Sequence, residues 1–170
     1  YVSMTENQKE YYKLNLESIK KKAKEENNFI YVLSFLTKLR QIALDPSIVD
    51  ENYKGGSGKV NAILKLIESS LKENKKTLIF SQFTTVLSKL KDKLEPLNIK
   101  YYYLDGSTKA EERVRLCEKF NNSLDVKIFL ISLKAGGTGL NLTSAERVIH
   151  FDPWWNPSVE NQATDRAHRI

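Results

Sequence analysis

From Gly58 onward, short apolar runs alternate with amphipathic stretches, and this alternation restricts the fold more than any other feature of the chain. Ser57 is placed to cap a helix bearing Val60, Ile63, Leu64, Ile67 and Leu71. The chain then reads as strand Thr77–Ser81, a helix with Val86, Leu87, Leu90 and Leu94, strand Lys100–Leu104, and a helix around Arg113–Phe120. Strand Val126–Ser132, a glycine loop, strand Arg147–Asp152 and a helix started by Pro157 complete it. Such alternation predicts an α/β fold: a parallel sheet with helices on both faces. Ligands of parallel sheets sit at the carboxyl ends of the strands. Here those ends carry Gln82 and Phe83, then Asp105-Gly106-Ser107-Thr108, then Lys134 to Gly139, then Pro153 to Asn156. They are polar, glycine-rich or aromatic, so the functional surface is expected along that rim.

The first fifty residues follow a different pattern. Thr5-Glu6-Asn7-Gln8 is a capping box opening a polar, Lys-rich helix that fades near Asn27 and Asn28. The run Lys20-Lys21-Lys22 reads as a solvated face. A second helix carries Val32, Leu33, Phe35, Leu36, Leu39, Ile42 and Ala43 as a wide apolar stripe and ends at Asp45-Pro46. The expected organisation is a helical lead-in over 1–50, a linker over 51–58 and the α/β lobe over 59–170. A net charge of +6 is compatible with a polyanionic partner. One cysteine excludes an intrachain disulfide and a Cys-based zinc site, and it fits a reducing intracellular setting. Cys117 and His150 read as structural. No apolar run reaches membrane-spanning length, so no membrane partner is expected, and nothing implies an oligomer.

Two stretches imitate nucleotide-binding motifs. Gly55-Gly56-Ser57-Gly58-Lys59-Val60 resembles a phosphate-binding loop, but Tyr53 stands where a glycine is needed and Val60 where a Ser or Thr is needed. Asp50-Glu51 resembles a magnesium-binding acidic pair, but only two apolar residues precede it. No metal ligands are expected in this chain. The final segment is different: Gln162, Arg166 and Arg169 share one predicted helix, and arginines three apart lie on one face, able to grip phosphate oxygens.

Ser132–Leu142 (SLKAGGTGLNL), Phe151–Pro157 (FDPWWNP) and Gln162–Ile170 (QATDRAHRI) together closely resemble the second motor lobe of the Swi/Snf-type family of helicase-like, ATP-dependent DNA translocases. Thr77–Phe83 (TLIFSQF) and Tyr103–Thr108 (YLDGST) are similar to two further motifs of that lobe. Leu39–Pro46 is similar to the family's Leu-Arg-Gln-Ile-Cys-x-His-Pro element, with Ala43 and Asp45 departing from it. The resemblance implies a RecA-like lobe. It also implies a first lobe of the same polypeptide that holds ATP and Mg, so this chain carries half an active site and is expected to be inactive alone. The family's last motif continues with Gly-Gln and a further strand, so the lobe is expected to stop short of its final strand.

The same resemblance implies roles by residue. Arg166 and Arg169 match arginine fingers, which stay charged and engage two oxygens at once. Gln162 and Gly137 fall beside the nucleotide. Asp152 is a candidate either for orienting the neighbouring loop or for serving the nucleotide. Gly136, Gly137, Thr138 and Lys134 are suited to receive a duplex-DNA phosphate on backbone amides, a hydroxyl and a charge. Ser107, Thr108, Ser81 and Gln82 are further candidates on that track, and Trp155, rather than Trp154, is the DNA-facing indole. Two rivals remain: the lobe of a strand-separating or RNA-dependent helicase, and a non-catalytic DNA-binding or docking module.

Overall fold

The computed structural model describes residues 2–25, 29–136 and 140–152. They divide into two compact units, residues 1–63 and 64–170. In the first, α1 (Glu6–Glu25) and α2 (Phe29–Leu44) pack as a hairpin. Thr5 caps α1 by accepting the Gln8 amide at 3.1 Å. Gln8 does not close the capping box. Its side chain is fully buried and donates from Nε2 to the carbonyls of Ile42 (3.0 Å) and Ala43 (3.3 Å). These belong to the last turn of α2, where carbonyls have no partner within the helix. Gln8 Oε1 also accepts the Gly58 amide at 3.1 Å. One buried side chain thus ties a helix start, a helix end and the glycine stretch together.

The apolar stripe expected along α2 is buried only at its end. Leu39, Ile42 and Leu44 are buried, while Ile30, Tyr31, Val32, Leu33 and Leu36 are exposed. Asp45 starts a short turn, Pro46–Ile48, by accepting the Ser47 amide at 2.9 Å. Asp50 accepts from the Tyr11 hydroxyl (3.2 Å) and the Asn52 amide (3.0 Å), as a loop residue does. A side chain at Gly58 would collide with the Ser3 carbonyl oxygen, so a backbone crossing requires this glycine. The Ser57 hydroxyl donates to the Leu44 carbonyl and accepts the Val60 amide at 3.2 Å, capping α3 (Gly58–Lys72) as expected.

The second unit holds a four-stranded, wholly parallel sheet of β1 (Thr77–Ser81), β2 (Tyr101–Leu104), β3 (Ile128–Ser132) and β4 (Arg147–His150). The spatial order is β2-β3-β1-β4. The two central strands, β1 and β3, are buried at every position, as continuous apolar runs in a doubly covered sheet require. The edge strands β2 and β4 are mostly half-buried. On one face Leu78, Phe80, Phe129 and Ile131 pack with Cys117 and Phe120 of α5 (Ala110–Asn122). Tyr102 meets Phe120 and Phe129 there edge to face, and the Phe120 and Phe129 rings are tilted against each other with centroids 5.2 Å apart. Burial pushes the Cys117 thiol pKa up, so it behaves as a small apolar side chain. The alternate residues Ile79, Ile128 and Leu130 are equally buried, and α4 (Thr84–Leu94) contacts β1 and β3 with Val86, Leu87, Leu90 and Leu94 buried. Buried Lys76 donates to the Phe120 and Asn121 carbonyls at 2.6 and 2.7 Å, satisfying the end of α5. After β3 the chain makes one helical turn, α6 (Leu133–Gly136).

Candidate nucleic-acid interface

Because all four strands run the same way, their carboxyl ends line one edge of the sheet, in the order set by the strands. Along it come the loop after β2, the turn α6 after β3, Gln82 after β1 and Asp152 after β4. Of the rim expected from the sequence, the described residues Gln82, Phe83, Asp105 to Thr108 and Lys134 to Gly136 lie at these strand ends, while 137–139 and 153–156 lie outside the described residues. Lys134 is exposed on α6, between the loop after β2 and the end of β1.

At the β1/β4 end, the Asp152 carboxylate is buried and accepts the Ser81 hydroxyl at 2.5 Å and the Gln82 amide at 3.3 Å. Phe83 N donates to Ser81 Oγ at 3.1 Å, and Phe151 N donates to the Phe80 carbonyl at 2.8 Å. The carboxylate binds the end of β1 to the segment leaving β4. Ser81 is fully buried. Its contribution to the rim passes through Asp152, whereas Gln82 is half-exposed beside it. His150 stacks on Phe80 with centroids 5.6 Å apart, in keeping with a structural role.

The loop after β2 is closed by its own side chains. Asp105 Oδ1 accepts the Ser107 amide (2.9 Å) and hydroxyl (2.6 Å), and Oδ2 accepts the Tyr103 hydroxyl (2.8 Å). The Asp105 amide donates to Thr108 Oγ1 at 3.2 Å. Hydrogen bonds from Ser107 and Tyr103 hold the Asp105 carboxyl below the usual carboxylate range, so it is ionised at neutral pH. Burial, and then the neighbouring carboxylate, push the Tyr103 phenol up to about 12. Lys91 Nζ lies 4.4 Å from the Tyr103 ring centre. Ser107 is exposed and Thr108 half-buried. Sequence reasoning passed over Arg113, which donates from Nε to the Thr108 carbonyl at 2.7 Å and from Nη2 to the Gly106 carbonyl at 3.2 Å. Its position one turn into α5 was the available signal.

Gly136 ends α6. Gly137, Thr138, Trp155, Gln162, Arg166 and Arg169 lie outside the described residues. Among the described residues, no group of three or more His, Cys, Asp or Glu side chains is arranged to hold a metal ion, and no helix is long and apolar enough to cross a membrane.

Residues 58–170 match the model of the helicase conserved C-terminal domain. The whole chain is 41% identical to an uncharacterised ATP-dependent helicase of Mycoplasma genitalium, of which it covers 17%. It therefore spans under a fifth of that relative. It superposes on the C-terminal domain of the Sulfolobus solfataricus SWI2/SNF2 ATPase with a TM-score of 0.82 and 36% identity, over 95% of this chain and 73% of that one. With the ATPase core from the same organism, solved in complex with double-stranded DNA, the TM-score is 0.82 and the identity 35%, over 100% of this chain and 37% of that one.

Proposed function

Since the chain belongs to the helicase-like Swi2/Snf2 ATPases as their C-terminal RecA-like lobe, we propose that it is the second motor lobe of an ATP-dependent translocase on double-stranded DNA. The observation that supports this most is the end-to-end likeness to a core solved with duplex DNA, in a chain whose parallel strands line up a polar rim. In this reading the rim receives the phosphate backbone. The residues that would contact it are Lys134, Gly136, Thr138, Ser107, Thr108, Gln82 and Trp155. Asp152 and Ser81 hold the β1/β4 end together. Contacts of this kind are tolerant of sequence and weaken with salt.

ATP with Mg is held mainly by the first lobe of the same polypeptide, and supplies the phosphoryl transfer that drives closure. This chain adds Gln162 and Gly137 beside the nucleotide and the arginines Arg166 and Arg169 against its phosphates. Opening and closing of the two lobes then ratchets the duplex along both rims, which places the protein wherever the cell keeps its DNA. Arg166→Ala and Arg169→Ala in the full-length protein test the catalytic part. Each is expected to lower DNA-stimulated ATP turnover by roughly 10³-fold or more, the scale of an arginine finger. Turnover left intact in both variants would instead favour a non-catalytic docking module.

A further inference from the structure

Arg113 does something the translocase reading leaves unassigned. The loop Asp105–Thr108 follows an edge strand, so only β3 flanks it within the sheet. A four-residue connection there would ordinarily sample several backbone states. Two clamps oppose this. From inside, Asp105 gathers the Ser107 amide, the Ser107 hydroxyl and the Tyr103 phenol onto one carboxylate. From outside, Arg113 reaches back from α5 and bonds two loop carbonyls with different nitrogens, Nε to Thr108 and Nη2 to Gly106. The carbonyls are thereby turned toward the guanidinium, while Ser107 and Gly106 stay exposed at the rim.

We propose that Arg113 is a positioning residue for nucleic-acid binding: its planar fork fixes the register in which Ser107 and Thr108 meet a backbone phosphate. The proposal rests on the reading of the rim as a duplex track. It depends on the fork and not on charge alone, because a lysine carries the same charge but cannot present two fixed, divergent N–H groups. Pre-ordering of this kind raises affinity by lowering the entropy cost of binding.

The test uses the full-length protein with Arg113→Ala, Arg113→Lys and, as a charge-loss control, Arg115→Ala, since Arg115 is exposed and paired only loosely with Glu112 at 3.7 Å. Two readings are taken: the duplex-DNA concentration giving half-maximal ATPase stimulation, and amide hydrogen exchange at Ser107 and Thr108 without DNA. Both Arg113 variants are expected to need about tenfold more DNA, the scale of one charged hydrogen bond. Both should also lose protection at the two amides, while the control keeps wild-type values. Unchanged exchange in Arg113→Ala overturns the proposal, and so does full recovery of DNA affinity in Arg113→Lys, which would make Arg113 a simple charge. If duplex DNA fails to stimulate even the wild type, the duplex track falls and takes the proposal with it, and the exchange data then report on loop order alone.

Discussion

Ser81 and Asp152 are 71 residues apart in the chain and share a short buried hydrogen bond. A buried carboxylate requires such donors, and removing one leaves it under-satisfied. Ser81→Ala is therefore expected to destabilise the lobe by about 1–3 kcal/mol, read as a fall in urea midpoint at unchanged slope. Asp105 yields a prediction with a definite pH sign. Its folded pKa is depressed below the unfolded carboxyl value of ~3.9, first by Ser107 and then by Tyr103. Its contribution to stability is thus complete above that unfolded value, and is lost as pH falls from there through the folded one. Asp105→Asn should therefore show less loss of stability than the wild type between about pH 5 and pH 2, with the difference measured by denaturant titration at each pH. Neither pairing was legible in the sequence. Asp105 and Asp152 stood out as polar residues at strand ends; the donors to Asp105 are its near neighbours Tyr103 and Ser107, but Ser81 reaches Asp152 only because β1 and β4 lie side by side, and a linear pattern does not contain that.

Helices and strands were legible to different degrees. The central strands β1 and β3 could be located because burial on both faces demands a short apolar run, which Leu78–Phe80 and Ile128–Ile131 supply. β1 matches its expected bounds, whereas β2, β3 and β4 begin or end one or two residues inside theirs, because strand ends impose no pattern of their own. The apolar stripe of α2 misled. Periodicity shows that a helix can bury a face, not that a neighbour covers its whole length. Buried Ile42 and exposed Leu33 separate the two cases. Ile42→Ala is expected to cost about 2–5 kcal/mol, whereas Leu33→Ala should stay within about 0.5 kcal/mol of wild type; thermal unfolding of the two variants side by side decides it. Gln8 shows the opposite failure. It matched a local capping motif, yet its amide bonds two carbonyls of α2 across the hairpin, a long-range partnership that a four-residue pattern does not encode.

At the scale of the molecule, the parallel sheet sets one polar edge, and the family match sets what that edge is compared with. Lys134 and the segment Asp105–Thr108 sit on that edge because each lies just past a parallel strand, so their grouping was predictable once the alternation was read. The central claim is that this lobe serves a motor driven along duplex DNA, and it is tested most directly by ATP hydrolysis. Turnover by the full-length protein should be measured alone, with duplex DNA and with RNA, beside the isolated 170-residue chain. The account predicts strong stimulation by duplex DNA, little by RNA and no turnover by the isolated chain. Stimulation by RNA in preference to duplex DNA, or a full-length protein silent with both, would contradict it.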